Sequence, residues 1–137
     1  MKVLCKLNNL KYFSDEDLLV RLTQYIRMPD GEINLTIGKE YTVYGMVFRD
    51  NSPWYYLCSE DYDEYPTPFP SECFDITDKR LSSYWNLLTR EIGNGKIQSS
   101  LVIPEWAEDP YFYELLLDGD IDTVELFNRY KKLLDQE

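Results

Sequence analysis

The sequence predicts a single α+β domain spanning residues 1–137, in which a small antiparallel β-barrel is followed by C-terminal α-helices. Through residue 78, short apolar and aromatic runs alternate with Gly, Pro and Asn, a pattern typical of antiparallel strands. The last third instead carries apolar residues at helical spacing together with capping signals. A chain of 137 residues has the usual length of one domain and can bury a core without disulfides.

Five segments have the composition of β-strands, and they cover residues 2–7, 41–48, 53–58, 73–76 and 101–103. In the second segment we expect Tyr41, Val43 and then Met46 or Val47 to face inward, with Gly45 at a bulge or bend. Proline has no N–H to donate to a neighbouring strand, so the segment holding Pro66, Pro68 and Pro70 must lie at a sheet edge. The barrel portion therefore covers residues 1–78, and residues 79–137 add one strand and the helices.

Helices are predicted in two regions. Residues 14–17 can cap a helix carrying Leu18, Leu19, Leu22 and Ile26 that ends at residues 29–31, although the same segment would also serve as a strand. Near the other end, residues 104–117 resemble a helix broken at residues 118–120. Asp122 and Glu125 then form a capping box for a final helix, whose spaced apolar residues are Val124, Phe127, Tyr130 and Leu134.

Negative charge dominates the composition, with a net charge of -11 and a pI near 4.4. Phosphate backbones and anionic membranes would repel such a chain, which argues against nucleic acid or a membrane as a partner. The acids are also unevenly distributed. Residues 50–78 and residues 105–125 each contain eight acids and no Lys or Arg. Such runs suit a binding surface for a basic protein, and the alternative of a merely solvated surface stays open.

The residues that usually carry catalysis are scarce. The chain has no histidine, which removes the commonest general base and metal ligand, and it has no phosphate-binding glycine loop, since residues 93–96 suit a turn better. Cys5, Cys58 and Cys73 lack metal-binding spacing and basic neighbours, so we expect reduced packing residues. No cofactor or metal is predicted. The absence of a signal peptide or apolar span predicts a cytoplasmic protein.

Two sets of residues are the candidates for partner binding. Tyrosines flanked by acids would supply the aromatic anchors that protein interfaces favour, within a polar hairpin loop at residues 59–66. The predicted partner-binding residues are Glu60, Asp61, Tyr62, Asp63, Glu64, Tyr65, Glu105, Glu108 and Asp109. The loop carboxylates could instead be solvated or serve as paired acids in catalysis.

Other conspicuous residues have structural interpretations. The segment beginning at Asp118 starts like a calcium loop, but Thr123 and Arg129 stand where Gly and Glu are needed, so helix capping explains it better. Tyr55 and Tyr56 lie in a strand and are expected in the core. Trp85 and Trp106 are expected in the core or between the barrel and the helices.

The barrel portion resembles a known group of domains. The segments Leu35-Thr36-Ile37-Gly38-Lys39-Glu40-Tyr41 and Pro70-Ser71-Glu72-Cys73-Phe74-Asp75 are similar to the turn and the closing segment of bacterial and phage SH3-like barrels. This resemblance covers about residues 1–78 and implies an SH3-like fold. The segment between Asn9 and Leu35 is longer than that pattern usually has, and the acidic loop replaces a tighter turn.

A more diffuse resemblance concerns function. Residues 81–87, 103–106 and 111–114 are similar to immunity proteins of bacterial polymorphic or contact-delivered toxin systems. It implies a cytosolic inhibitor, not an enzyme, that covers the working surface of a basic toxin such as a nuclease. Complementary charge would speed capture of that toxin. A DNA-mimicking phage or defence protein, a non-inhibitory adaptor and a small enzyme that uses carboxylates alone are the alternatives.

Overall fold

The computed structural model describes residues 1–60 and 63–137. Its strands in chain order are β1 (Lys2–Cys5), β2 (Glu40–Thr42), β3 (Gly45–Arg49), β4 (Ser52–Leu57), β5 (Thr67–Pro70), β6 (Phe74–Asp78), β7 (Asn86–Gly93) and β8 (Lys96–Val102). The α-helices are α1 (Glu16–Thr23), α2 (Pro104–Glu108), α3 (Phe112–Leu117) and α4 (Ile121–Gln136). Antiparallel sheets and C-terminal helices confirm the predicted α+β class.

The strands form two sheets where the sequence predicted one small barrel. One sheet has the order β2-β1-β6, the other has the order β5-β4-β3-β8-β7, and every pairing is antiparallel. Strand β3 pairs with β4 on one side and with β8 on the other. The β7–β8 hairpin thus extends the larger sheet outward, and a closed barrel is not seen in the described part of the chain.

Strand β4 is buried on both faces of the larger sheet. Successive side chains of a strand point to opposite faces, so adjacent tyrosines serve different cores. The ring of Tyr55 lies 5.8 Å from that of Phe74 in the smaller sheet, whereas the ring of Tyr56 lies 4.8 Å from Trp106 in α2. The prediction that both tyrosines belong to the core is confirmed, and so is the edge position of β5 with Pro68 and Pro70.

Two hydrophobic clusters result. The first lies between the sheets and under α1. It includes Tyr41 and Val43, as expected, and both Met46 and Val47, where the prediction had one or the other facing inward. The second lies between the larger sheet and the C-terminal helices, and its fully or nearly buried members are Tyr44, Val102, Ile103, Trp106, Phe112, Leu116, Phe127 and Leu134. Trp85 packs against both clusters, which confirms its expected place between sheet and helices.

Two-residue turns close the hairpins of the larger sheet. Asp50 and Asn51 join β3 to β4, and Asn94 and Gly95 join β7 to β8. All four have positive φ, the backbone geometry that short hairpin turns require. The second turn was predicted, but β7 was missed. Its sequence, Asn-Leu-Leu-Thr-Arg-Glu-Ile-Gly, lacks clean alternation because almost the whole strand is exposed.

Helix α1 confirms the helical alternative for the segment after Ser14. Asp15 is its N-cap, and its Oδ1 accepts a hydrogen bond of 3.0 Å from the backbone N–H of Leu18. The helix ends at Thr23, six residues before Pro29, so the predicted end was too late. Leu22 is completely buried and fixes the helix on the first cluster.

The C-terminal helices differ from the prediction in two details. Residues 104–117 form α2 and α3 because Pro110 disfavours helical geometry at the preceding residue, and Asp109 has extended backbone angles. The predicted capping box at Asp122 is wrong. The N-cap is Asp120, which accepts hydrogen bonds from the N–H and the hydroxyl of Thr123, and Gly119 with a φ of 78° ends the preceding helix. Among the described residues, the helices are too short or too polar to cross a membrane.

A partly buried ion pair connects α1 to the sheets. Arg21 Nη2 lies 2.6 Å from Glu72 Oε1, and the same oxygen accepts a hydrogen bond of 2.9 Å from the hydroxyl of Ser52 in β4. Burial alone would raise the pKa of Glu72, but the hydrogen bonds from Arg21, from its own backbone and from Ser52 outweigh it and lower that pKa. The pair therefore holds three separate segments of the chain together.

Replacing this carboxylate tests the pair. Glu72→Gln should lower the free energy of unfolding at pH 7 by roughly 1–3 kcal/mol, because Arg21 would keep a partly buried charge without its counter-charge. The pKa of Glu72 is lowered in the folded state, so its contribution is present above the unfolded value of about 4.3 and is lost as the pH falls. Urea denaturation should show the wild-type advantage at pH 7 and its decline below about pH 4.

The exposed pair between Lys6 and Asp75, 3.2 Å apart, provides the control. Asp75→Asn should change the free energy of unfolding by less than about 1 kcal/mol, because solvent screens that pair. Equal losses in the two variants would contradict a special role for Glu72.

The three cysteines are free thiols, as predicted. Cys5 and Cys73 are buried in the first cluster, and Cys58 packs beside the second. Burial raises the pKa of all three thiols. The pKa of Cys58 rises to about 11 and that of Cys73 to about 12. A thiol is nucleophilic only as thiolate, so these side chains act as packing residues near neutral pH.

Thiol labelling checks this conclusion. At pH 8 the native protein should react with a disulfide reagent at less than roughly one-hundredth of the rate of the urea-unfolded chain, because an ordinary thiol has a pKa of about 8.5. In the unfolded chain all three thiols should react, which gives three equivalents of reacted thiol per chain. One fast equivalent in the native state would reveal an activated cysteine instead.

Candidate functional site

Half of the acids in the first run are paired with bases from elsewhere in the chain. Four of its eight acids form ion pairs: Glu60 with Lys39, Glu72 with Arg21, Asp75 with Lys6 and Asp78 with Arg80. None of these bases belongs to the run itself. The linear excess of charge in residues 50–78 therefore overstates the charge that this part of the surface presents.

Glu60 belongs to a local hydrogen-bond network. Its Oε2 lies 2.7 Å from Lys39 Nζ, and its Oε1 accepts hydrogen bonds from the hydroxyls of Tyr41 at 2.5 Å and Thr36 at 3.2 Å. These hydrogen bonds lower the pKa of Glu60, and the bond from Lys39 has the largest effect. Burial, together with the hydrogen bond to Glu60, raises the pKa of Tyr41 to about 12. Glu60 thereby fixes the turn that enters β2.

The second acidic run has a different environment. Residues 105–125 carry eight acids, and among the residues that the structure describes no Lys or Arg nitrogen lies within ion-pair distance of them. Glu114, Asp118, Asp122 and Glu125 are exposed on α3, on α4 and in the connection between them. This run therefore keeps its negative charge at the surface.

Apolar side chains are exposed among those acids. Tyr111 is 64% exposed and Ile121 is 73% exposed, and Leu115 and Leu117 also face solvent. The backbone N–H of Leu115 donates to the carbonyl of Tyr111, so these two side chains lie one helical turn apart on the same flank. We define the acidic helical surface as Tyr111, Glu114, Leu115, Leu117, Asp118, Ile121, Asp122 and Glu125.

The predicted loop residues lie beside the C-terminal helices. Asp61 and Tyr62 fall outside the described residues. Asp63 and Glu64 are exposed, and the carbonyl of Asp63 accepts a hydrogen bond of 3.2 Å from Lys131 in α4. Tyr65 is partly buried against the second cluster, so less of its ring is free for a partner than a fully exposed anchor would offer.

The predicted residues of α2 have unequal exposure. Glu105 is partly buried, and its Oε1 accepts a hydrogen bond of 3.2 Å from the Tyr130 hydroxyl, while its Oε2 is buried with no partner in the described part of the chain. Glu108 is exposed. Asp109 is partly exposed, and its Oδ1 accepts a hydrogen bond of 2.9 Å from the backbone N–H of Tyr111. A hydrogen bond from the hydroxyl of Tyr113 to the carbonyl of Pro66 connects this helical region to the end of the loop.

Over residues 1–60 and 63–137, no cluster of three or more Cys, Asp or Glu side chains is arranged to hold a metal ion. The carboxyl groups with a resolved shift, Glu60, Glu72, Asp78 and Glu137, all have a lowered pKa and so stay ionised at neutral pH. Ionised carboxylates accept hydrogen bonds and attract cations, whereas a general acid needs a raised pKa.

The acidic helical surface contains residues that the sequence analysis did not select. Tyr111 and Leu115 repeat the four-residue spacing of the buried pair Phe112 and Leu116, shifted by one position. On a helix, that shift turns a residue away from the core by about 100°. The pattern could have indicated an exposed apolar flank, but only the structure shows which pair faces inward.

The chain was compared with family models, curated protein sequences and solved structures, and no match was found in any of the three.

Proposed function

We propose that this chain is a protein-binding module that captures a basic partner through its acidic helical surface. Unpaired carboxylates attract and orient a cationic protein during encounter, and exposed apolar side chains supply the contact area that lowers the dissociation rate. The observation that carries the proposal is the contrast between the two acidic runs. In the described structure, four of the eight acids of the first run are ion-paired, whereas no acid of the second run is.

An inhibitor of a basic toxin is the most specific form of this proposal. An inhibitor of that kind must find its target quickly and hold it tightly, and charge complementarity raises association rates by orders of magnitude. The diffuse sequence resemblance to immunity proteins supports this form. A relationship of residues 1–78 to SH3-like barrels is likewise a proposal, supported by the turn at Gly38, whose φ is 87°.

The rescue experiment tests the inhibitor form. The product of the neighbouring gene should arrest growth when produced alone in a bacterial host, and co-production of this chain should restore growth. The two proteins should co-purify. A harmless neighbour, or a toxic one that this chain neither binds nor neutralises, would refute the inhibitor proposal.

Neutralising the surface tests its role. Asp118→Asn, Asp122→Asn and Glu125→Gln together should lower the association rate constant for the basic partner by at least roughly tenfold at low salt, because steering depends on the local field. The loss should shrink as the salt concentration rises toward about 1 M, where screening acts within about 3 Å. Stopped-flow fluorescence over a salt series measures both effects.

A matched variant removes the same amount of charge elsewhere. Glu16, Asp17 and Glu32 are exposed acids in and after α1, and no side-chain hydrogen bond or ion pair holds them in the described structure. Changing these three to Gln, Asn and Gln should leave the association rate within about twofold of wild type. Equal slowing by both triple variants would show that net charge alone matters, and the surface assignment would be wrong.

A further inference from the structure

Strand β7 leaves one edge of the larger sheet open. Among the described strands it pairs only with β8, and seven of its eight residues are exposed, with Leu88 as the exception. Alternate residues of an edge strand turn their N–H and C=O groups away from the sheet. In the described structure, no backbone or side-chain group from another element hydrogen-bonds to that outer edge.

The other sheet edges are shorter or protected. Strand β5, at the opposite edge of the same sheet, has four residues and includes Pro68 and Pro70. The edges of the smaller sheet are β2 with three residues and β6 with five, and β6 carries two aspartates. Strand β7 has eight residues and no proline. Proteins usually shield an edge with proline, charge or a covering segment. Strand β7 carries two charges, Arg90 and Glu91, so its length and its lack of proline are what make it the best template for another strand.

The two faces beside β7 differ in chemistry. On one face, β7 borders a groove of about 410 Å³ between the sheet and the helices, lined by Leu88 and Arg90 together with Asp109 and Glu114. Arg90 contacts Gln98, and neither acid has an ion-pair partner in the described residues.

Apolar and polar side chains are mixed on the other face, where β7 presents Leu87, Thr89 and Glu91. Leu87 is 65% exposed and Ile97 is 66% exposed, and Phe48 is also exposed further along the sheet. Alternation along the paired strands places these three residues on one face, since Leu87 lies opposite Leu101, Leu101 lies opposite Met46, and Phe48 follows Met46 by two.

We propose that the partner adds an extended segment to the open edge of β7, with basic side chains toward the groove of Asp109 and Glu114 and apolar side chains toward Leu87 and Ile97. This inference rests on the proposed function, because it specifies how a basic protein partner is held. Backbone hydrogen bonds to the edge supply affinity, and the alternating side chains supply selectivity, as in other complexes formed by strand addition. A segment of about five residues, the usual length of a strand, fits the exposed part of β7.

The experiment uses the full chain and a synthetic probe, the capped peptide Lys-Val-Lys-Val-Lys-Val. Two control peptides have Glu in place of Lys, or methylated backbone nitrogens with unchanged charge. Amide chemical shifts and hydrogen exchange of the ¹⁵N-labelled protein are followed during titration. We expect shifts within residues 87–93 and slowing of exchange at the outward amides by at least roughly tenfold on binding, with little response to either control peptide.

Protein variants separate the two parts of the proposal. The double variant Asp109→Asn, Glu114→Gln should bind the Lys peptide several-fold more weakly, and the difference in affinity between the Lys and Glu peptides should shrink. Thr89→Pro and Arg90→Pro are made separately, because one of these neighbours has its N–H on the open edge and the other on the β8 side. The variant in which proline replaces the residue with the outward N–H should fold like wild type and no longer bind the peptide. The other variant should be less stable.

The outcomes discriminate clearly. Shifts confined to residues 111–125 would overturn the edge proposal and leave the acidic helical surface standing. Absence of binding by the Lys peptide would overturn the edge proposal, while the toxin rescue experiment decides the proposed function separately. Protection of the β7 amides from hydrogen exchange could also rise with protein concentration in the absence of peptide. If sedimentation then shows dimers, a second copy of this chain occupies the edge, and the edge proposal is overturned as well.

Discussion

The structure depends on β4 being buried on both faces. Tyr55 turns toward the smaller sheet and Tyr56 toward the C-terminal helices, so a single strand joins the two hydrophobic clusters. Trp54, Tyr55 and Leu57 are buried in the first cluster and Tyr56 packs against both, so removing either cluster would expose large aromatic rings on β4. The helices that carry the acidic surface are thus held in place by the same strand that organises the sheets.

Local signals predicted most of the individual elements. Proline placed β5 at an edge and residues 93–96 indicated a turn, because both features restrict the backbone directly, and an aromatic run indicated β4. The way the strands assemble could not be predicted. Strand β7 carries little hydrophobic periodicity, since its sides face solvent, and without it the sheet order and the open form of the larger sheet cannot be inferred from the sequence.

The candidate site shows a similar limit. Counting acids along the chain identified two runs, but their three-dimensional environments differ. Folding brings four bases within ion-pair distance of the first run: Lys6, Arg21, Lys39 and Arg80. Sequence alone cannot show such pairing. A charge run becomes a candidate binding surface only when the folded chain supplies no counter-charge for it, and residues 105–125 meet that condition in the described structure.

The central position of β1 in the smaller sheet has a consequence for synthesis. Its partners are β2 and β6, and Cys5 pairs with Phe74 across an interval of nearly seventy residues. A ribosome that adds about 5–20 residues per second needs roughly 4 to 14 s to cover that interval. During that time Val3 and Cys5 are translated but lack their neighbours from β6, so the smaller sheet is completed after translation has passed the β3–β4 hairpin, whose contacts are local and form quickly.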